Sequence, residues 1–334
     1  MPAEVKPKIG DDAQISLDGR EKSELTLLAE QLRDVDPRLN DDPRWTSAAR
    51  ELSCRLPMRL RQTLRRFTWN SGREAMLLVR NLPVDPETVP DTPTVRGSVQ
   101  RETTTAASAL MLIAMAMGEV IAFDKEKTGA LVQDVVPVPG MEQFQGNAGS
   151  IKLNMHTENA FHEHKPDLVG LMCLRNDHEN VAGLRVASVR NALPLLSGPT
   201  REILHQPRFV TMTPASFEIA DGMEEPHGIL AGSFDDPDLK VDFSSTIPSD
   251  DEAAQAMAEL EAVIERVAHT LILGPGDLAF VDNRLALHGR NSFQPRYDGR
   301  DRWLQRVFVH LDFRKSRVMR RADGHVLGAG ETLR

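Results

Sequence analysis

The sequence predicts a mainly β core with flanking helices, arranged as a β-sandwich or jelly roll. Two observations support this fold class. The chain reads as helices over roughly its first third, and from residue 129 onward as many short apolar strands separated by turns. No internal repeat or convincing linker interrupts the pattern. We therefore expect a mobile N-terminal segment over residues 1–20 and a single domain over residues 21–334, helical to about residue 125 with the jelly-roll core after it.

Helical spacing and helix-end signals define the first part of the chain. A short helix is predicted around four leucines that we expect on one side of it, Leu25, Leu27, Leu28 and Leu32. A second helix begins at Asp42-Pro43, because Asp is a good N-cap and Pro suits the first turn, and it continues in broken form to Phe67. A strand is predicted over 75–82, where the following Pro83 ends it.

The most apolar stretch, from Ala106 to Phe123, could be mistaken for a membrane span. It is rich in alanine and contains Gly118 and Glu119, so a buried scaffold helix is the better interpretation. We place this helix over 103–118 and expect no membrane partner.

Short apolar strands dominate the second part of the chain. They are predicted over 129–136, 151–155, 168–174, 184–189, 208–213, 228–234, 239–243, 278–281 and 303–311. Two helices interrupt them, near 194–205 and over 250–269. The latter begins with three acidic residues, which favour a helix N-terminus: Asp250, Asp251 and Glu252.

The composition limits the classes of partner. Apolar residues make up 40% of the chain, charged residues 27%, and the formal net charge is −9. This balance disfavours nucleic acid and an anionic membrane surface, and leaves a small-molecule ligand as the expected partner. The two cysteines, Cys54 and Cys173, cannot build a disulfide framework, so each is expected in the core of a cytoplasmic protein. The N-terminus lacks the apolar region of a signal peptide.

Two separated motifs predict a metal site. His156 and Glu158 end the strand 151–155, and their spacing of two puts both side chains on one face. His288 ends another strand far downstream. Two imidazoles and one carboxylate form a facial triad that leaves positions on Fe(II) open for a bidentate co-substrate and O2. A His-x-Glu pair alone also occurs on ordinary surfaces. His162 and His164 could compete as ligands, but we expect them outside the ligand set.

Two arginines follow the second motif. Arg302 opens the strand 303–311 and Arg306 is four residues on, so both are expected on the same face. A buried guanidinium can bind a carboxylate with two parallel hydrogen bonds. The distal carboxylate of 2-oxoglutarate needs such an anchor, which neither a zinc hydrolase nor a non-catalytic jelly-roll binding protein requires. Those two classes remain the alternatives.

These motifs together resemble the clavaminate synthase-like branch of the Fe(II)- and 2-oxoglutarate-dependent oxygenases. The resemblance rests on His156-Thr-Glu158-Asn-Ala-Phe-His, Asp282-Asn-Arg, and His288-Gly-Arg through Arg302-Trp-Leu-Gln-Arg306. It extends over roughly residues 40–330. Within the branch, the asparagine hydroxylases share further segments with this chain: 129–141, 144–150 and 236–242.

The resemblance implies a double-stranded β-helix (jelly roll) and a set of site residues. His156, Glu158 and His288 would be the catalytic iron ligands, and Arg302 would anchor 2-oxoglutarate. The amino-acid substrate would contact Arg306 through its α-carboxylate and also meet a group of other side chains: Glu126, Asn147, Glu158 and Asp242. One departure is Leu184, which stands where clavaminate synthase has a threonine near the co-substrate. Glu158 also argues against a halogenase, which needs that coordination position for halide.

The substrate expected from the resemblance is free L-asparagine, hydroxylated at C3 for specialised peptide or antibiotic biosynthesis. Relatives that act on arginine or lysine present two acids to a cationic side chain, whereas this chain has Lys240-Val-Asp242. One acid beside a base suits a neutral amide. Asp242 can accept from the amide N–H groups and Asn147 can donate to the amide oxygen. Citrulline, arginine and lysine stay as alternatives, and Lys240 could instead point to solvent.

Overall fold

In the described part of the chain, the fold consists of two large sheets that share an apolar core, two short two-stranded sheets and a helical layer. The structure, a computed structural model, describes Gly10, residues 13–214, Phe217 and residues 225–328. Its α-helices are α1 (Gly19–Arg33), α2 (Pro43–Ser53), α3 (Met58–Trp69), α4 (Thr105–Met115), α5 (Val189–Ala192), α6 (Gly198–Leu204) and α7 (Asp251–Val267). Its strands are β1 (Gln14–Ser16), β2 (Met76–Arg80), β3 (Glu119–Phe123), β4 (Gln133–Val135), β5 (Leu153–His156), β6 (Leu168–Arg175), β7 (Leu184–Ser188), β8 (Phe209–Thr211), β9 (Leu230–Gly232), β10 (Pro237–Leu239), β11 (Thr246–Pro248), β12 (His269–Leu271), β13 (Leu278–Asp282), β14 (Ala286–Arg290), β15 (Trp303–His310) and β16 (Val326–Leu327).

The larger sheet has eight strands in the order β1-β2-β13-β6-β15-β3-β16, with β4 also paired to β15. Alternate residues of each strand point to opposite faces of the sheet. One face packs on the helical layer, where Leu77 and Val307 join Trp45 and Leu110 in one apolar core. The opposite face, with Met76 and Phe308, belongs to a second core that it shares with the smaller sheet.

The smaller sheet has four strands in the order β12-β7-β14-β5. Val186 and Leu287 bring it into the second core, and α7 packs beside β7. Because β5 and β14 are adjacent antiparallel strands, His156 lies directly opposite His288. The sheet pairing therefore brings together two residues that are far apart in the sequence.

Several predicted elements are confirmed. Asp42 caps α2 through the backbone N–H of Arg44, and Pro43 occupies the first turn. Asp250 caps α7 in the same way. The strands predicted over 168–174, 184–189, 278–281 and 303–311 correspond to β6, β7, β13 and β15.

The prediction of one long helix over 103–118 was wrong at its C-terminal end. Helix α4 ends at Met115, and β3 begins at Glu119. A Cβ at Gly118 would lie 2.4 Å from the backbone oxygen of His310, so only glycine allows β3 to approach β15 this closely. Among the described residues, no helix is long and apolar enough to cross a membrane.

The N-terminal predictions also need correction. Residues 14–16 were expected to be mobile, but they form β1, which pairs in parallel with Leu78–Arg80. Residues 1–9 and 11–12 of that segment lie outside the described residues. Leu27 is 60% exposed, unlike the three other leucines of α1, and Cys54 is exposed whereas Cys173 is buried. The helical part is not separate from the core, because β1, β2 and β3 extend the larger sheet.

Two strand predictions beside the site have different bounds. The segment 129–136 begins as a turn, and only Gln133–Val135 is a strand. In the segment 239–243 the strand β10 ends at Leu239, and Asp242 instead forms an isolated bridge to His156. Lys240 and Asp242 therefore do not share a face of one strand.

Candidate active site

The structure brings His156, Glu158 and His288 together where β5 ends. His288 was expected to end its strand but is the central residue of β14. Their ligand atoms all lie within 4.8 Å of one another. The His156 and His288 ring centroids are 4.5 Å apart, and His288 Nε2 lies 3.4 Å from Glu158 Oε2. Glu158 and His288 are buried. Two imidazoles and one carboxylate at this spacing fit the donor set of a non-haem Fe(II) centre, and would also accept zinc.

Backbone contacts orient two of these ligands. His156 Nδ1 lies 2.8 Å from the backbone oxygen of Asn154, which assigns the proton to Nδ1 and leaves Nε2 to face the group. The side chain of Asn283 holds the backbone of Glu158. Its Oδ1 accepts from the backbone N–H of Glu158 (2.7 Å), and its Nδ2 donates to the backbone oxygen of Glu158 (3.1 Å). Asn283 was quoted in the sequence motif, but its role as a clamp was not predicted.

Arg306 connects the metal group to the expected substrate residues. Its Nη1 donates to Glu158 Oε1 (2.9 Å), and its guanidinium also donates to Glu126 and Gln133. Burial works against ionisation of Glu158, but the charge of Arg306 and the contact with His288 outweigh it and hold the pKa of this carboxyl below its usual range. Gln133 was missed because a strand residue without charge carries no sequence signal for this contact.

Arg302 is buried without a counter-ion among the described residues. Its side chain is buried, at 4% exposure, and its Cζ lies 6.0 Å from the centroid of the Phe293 ring. Among the described residues it makes no hydrogen bond and no ion pair, and its Nε is buried and unpartnered. Burial lowers the pKa of Arg302 to about 10. A buried cation of this kind creates a strong demand for an anion.

The other expected substrate residues surround Glu158 and His156. Glu126 Oε2 accepts from Asn159 Nδ2 (3.1 Å). With its amide oxygen facing Arg306, Asn147 accepts from both Nη1 (3.1 Å) and Nη2 (3.2 Å). Asp242 pairs with His156 through the backbone, and its carboxylate accepts from Ser244 N–H (2.8 Å) and Ser245 Oγ (2.9 Å).

Lys240 and the neighbouring histidines form a separate group. Lys240 is half-buried, and its backbone N–H donates to the oxygen of Ile229. Burial, with His164, His310 and Lys240 nearby, lowers the pKa of His162 to about 4. Lys240 therefore does not simply point to solvent. His162 and His164 are not part of the metal group, as expected.

Two further positions bear on the sequence analysis. Leu184 is buried and lies directly across from Arg290 in the β7–β14 pair. Among the described residues, His178, Asp298 and Asp301 make up the other group close enough for a metal. Asp298 is exposed, and Asp301 already accepts from the backbone N–H groups of Arg296 and Tyr297.

A sheet-rich fold with a buried two-histidine, one-carboxylate group beside an unpaired arginine is typical of the Fe(II)- and 2-oxoglutarate-dependent oxygenases. A family model described as "Taurine catabolism dioxygenase TauD, TfdA family" matches residues 48–308. The chain belongs to this family, and the resemblance inferred from the motifs is confirmed.

Individual relatives narrow the comparison. The chain is 53% identical over 289 residues to an L-asparagine oxygenase of Streptomyces coelicolor, which covers 86% of this chain and 87% of the relative. It is 34% identical to clavaminate synthase 2 of Streptomyces clavuligerus, covering 87% and 90% of the two chains. A solved structure of asparagine oxygenase with Fe(II), 2S,3S-3-hydroxyasparagine and succinate has a TM-score of 0.92, at 49% identity and covering 95% of this chain and 100% of that one.

Proposed function

We propose that this protein hydroxylates free L-asparagine at C3, with Fe(II) as cofactor and 2-oxoglutarate and O2 as co-substrates. The observation that carries the proposal is the His156, Glu158 and His288 group together with two buried arginines, of which only Arg306 is paired with carboxylates among the described residues. Arg306 donates to Glu158, Glu126 and Gln133, whereas Arg302 makes no hydrogen bond and no ion pair among the described residues. Neither a zinc hydrolase nor a non-catalytic binding protein requires a buried, unpaired arginine such as Arg302.

His156, Glu158 and His288 would hold the iron. Bound Fe(II) supplies the activation of O2 that couples decarboxylation of 2-oxoglutarate to succinate with insertion of one oxygen atom into a C–H bond. Asn283 and Asn154 keep two of these ligands in place before any small molecule binds, so the site is preorganised. Arg302 would bind the distal carboxylate of 2-oxoglutarate.

The Arg306 end would receive the amino acid. Arg306 would bind the substrate α-carboxylate in exchange for one of its present protein partners, and the Glu126 carboxylate would accept from the α-ammonium. Since Asn147 turns its oxygen to Arg306, its amide N–H groups remain to donate to a side-chain carbonyl. Asp242 lies beside His156 and can accept from a side-chain N–H2 group. Glu158 would contact the substrate from the metal side.

Two observations favour asparagine over other amino acids as the substrate. They are the pairing of Asn147 as donor with Asp242 as acceptor, and the 53% identity to an asparagine oxygenase. One donor and one acceptor match a neutral side-chain amide. A basic or ureido substrate (arginine, lysine or citrulline) is the alternative, in which Asp242 would face a cation. We place the product in specialised peptide or antibiotic biosynthesis.

The two facing sheets are proposed to be the halves of a double-stranded β-helix, or jelly roll. Strands β5 and β14 on the smaller sheet would carry His156 and His288, with Glu158 just after β5. Arg302 directly before β15 and Arg306 within β15 would lie at the larger sheet. We propose that the site lies inside one domain, which includes β1 in addition to the predicted range 21–334, with the helical layer supporting the larger sheet from outside.

The experiment is succinate release from 2-oxoglutarate, measured with Fe(II) and a panel of free amino acids, with mass analysis of each product. We expect asparagine to stimulate succinate release and to gain one oxygen atom, with one succinate formed for each product molecule. Preferential hydroxylation of arginine, lysine or citrulline would overturn the substrate assignment. The absence of 2-oxoglutarate turnover with every amino acid would overturn the oxygenase proposal.

A further inference from the structure

Arg290 is a buried cation on the same strand as the metal ligand His288. Side chains two residues apart on an extended strand point to the same face, so Arg290 and His288 lie on the same face of β14. Its Nη2 donates to the backbone oxygens of Gly149 (2.8 Å) and Ile151 (3.1 Å). Its Nε is buried without a partner. The Nη2 group of Arg290 is therefore hydrogen-bonded to the protein, whereas its Nε is not.

Arg290 and Arg302 share one aromatic ring. The Arg290 Cζ lies 5.2 Å from the centroid of Phe293, and the Arg302 Cζ lies 6.0 Å from it. Neither arginine makes an ion pair among the described residues, and both have a buried, unpartnered Nε. Two buried guanidiniums beside one aromatic ring favour an anion near them.

We propose that Arg290 is a second cationic residue of the co-substrate pocket, acting with Arg302 on the distal carboxylate of 2-oxoglutarate. The paired charges would select a dicarboxylic 2-oxo acid over a monocarboxylic one. This inference rests on the proposed function, because it takes 2-oxoglutarate as the ligand at Arg302. Through Gly149 and Ile151, Arg290 also ties the loop that follows Asn147 to the strand that carries His288.

The test is calorimetric binding to anaerobic, Fe(II)-loaded protein with two ligands, 2-oxoglutarate and 2-oxopentanoate. The second has the same carbon chain but lacks the distal carboxylate. We expect Arg290→Gln to weaken 2-oxoglutarate binding by about 10- to 100-fold, the range for a lost hydrogen bond to a charged group. Its affinity for 2-oxopentanoate should change by less than about 3-fold. Arg290→Lys, which keeps the charge, should lose less affinity for 2-oxoglutarate than Arg290→Gln.

Arg185→Gln is the matched control. Arg185 lies on the neighbouring strand β7 opposite Gly289, and it pairs with Glu265. The Arg185→Gln variant should bind 2-oxoglutarate and 2-oxopentanoate with the affinities of the wild type. Unchanged 2-oxoglutarate affinity in folded Arg290→Gln, or an equal loss for both ligands, would overturn the role of Arg290. If Arg290→Gln does not fold, the ratio of the two affinities in Arg290→Lys decides. A wild-type protein that does not bind 2-oxoglutarate would instead overturn the proposed function itself.

Discussion

The two ends of the site differ in how their buried arginines are neutralised. At one end, Arg306 contacts Glu158, Glu126 and Gln133 and is completely enclosed by protein groups. At the other end, Arg302 lies four residues earlier in the chain, equally buried, and contacts no carboxylate among the described residues. Two arginines four residues apart, one directly before β15 and one within it, therefore have different electrostatic environments.

This difference indicates two different tasks. A cation with its own counter-ions fixes the geometry of its neighbours, here the metal-group carboxylate Glu158, and leaves little net charge. A buried cation without counter-ions is costly for the folded protein, and its cost is offset when an anionic ligand enters. We therefore assign the enclosed end to the zwitterionic amino acid and the unpaired end to the dicarboxylic co-substrate.

The largest expected effect is at the metal group that joins the two ends. His288→Ala should abolish turnover and weaken Fe(II) binding, since one of three ligands is lost, while the far-UV circular dichroism stays that of the wild type. His178→Ala is the control, because His178 belongs to the other group of the described residues close enough for a metal. Full activity in His288→Ala, or loss of Fe(II) binding in His178→Ala alone, would contradict the assignment.

The next effect concerns the clamp at the enclosed end. Asn283→Ala leaves the Glu158 N–H and two backbone oxygens without their partner, so Glu158 is held less firmly. We expect Fe(II) affinity to fall by roughly 10- to 100-fold, as for other residues that orient a metal ligand. The measurement is an anaerobic Fe(II) titration.

Asn40→Ala separates the clamp from general stability. Asn40 is also fully buried, and its amide donates to the backbone oxygens of Gln100 and Glu102 in another part of the molecule. It should lower the free energy of unfolding by about 1–3 kcal/mol and leave Fe(II) affinity unchanged. Equal Fe(II) affinity in Asn283→Ala and Asn40→Ala would show that Asn283 has no specific role.

The smallest expected effect concerns Asp242 and is a change in preference between asparagine and aspartate as substrates. Asp242→Asn keeps the oxygen that accepts from Ser244 and removes a negative charge beside the expected side-chain amide. Activity on asparagine should fall, and some activity on aspartate should appear because the like-charge repulsion is gone. Products from both amino acids are compared by mass, with the exposed Asp238→Asn as the control. A simple loss with no gain on aspartate would support a basic substrate instead.

The sequence predicted the parts of this site that follow from strand periodicity and recognisable motifs. The spacing of His156 and Glu158 and the motif around His288 were sufficient to bring the three residues together. Arg302 and Arg306 followed from the same alternation. The sequence did not show that Arg306 is enclosed, because its partners Gln133 and Glu126 approach from another strand and a loop. Nor did it show that Arg302 is unpaired, because that depends on which side chains surround it in the folded chain.

The missed features share a physical cause. The end of helix α4 at Met115 and the strand β3 were not predicted, because the demand for glycine at position 118 comes from the carbonyl of His310, nearly two hundred residues away in the chain. The Asn283 clamp and the backbone bridge between His156 and Asp242 likewise depend on distant segments that meet only in the folded chain. Local pattern carries no information about such contacts.

The most direct test of the two-ended site is an anaerobic titration of Fe(II)-loaded protein with 2-oxoglutarate, in the wild type and in Arg302→Ala. The charge-transfer absorption of the Fe(II)–2-oxoglutarate complex reports binding without turnover. We predict that Arg302→Ala weakens 2-oxoglutarate binding by roughly 100- to 1,000-fold, which corresponds to the lower part of the range of about 3–5 kcal/mol for breaking a buried ion pair, and leaves asparagine affinity within about 3-fold. Unchanged 2-oxoglutarate affinity would contradict the account and would identify another base, such as Arg306, as the anchor.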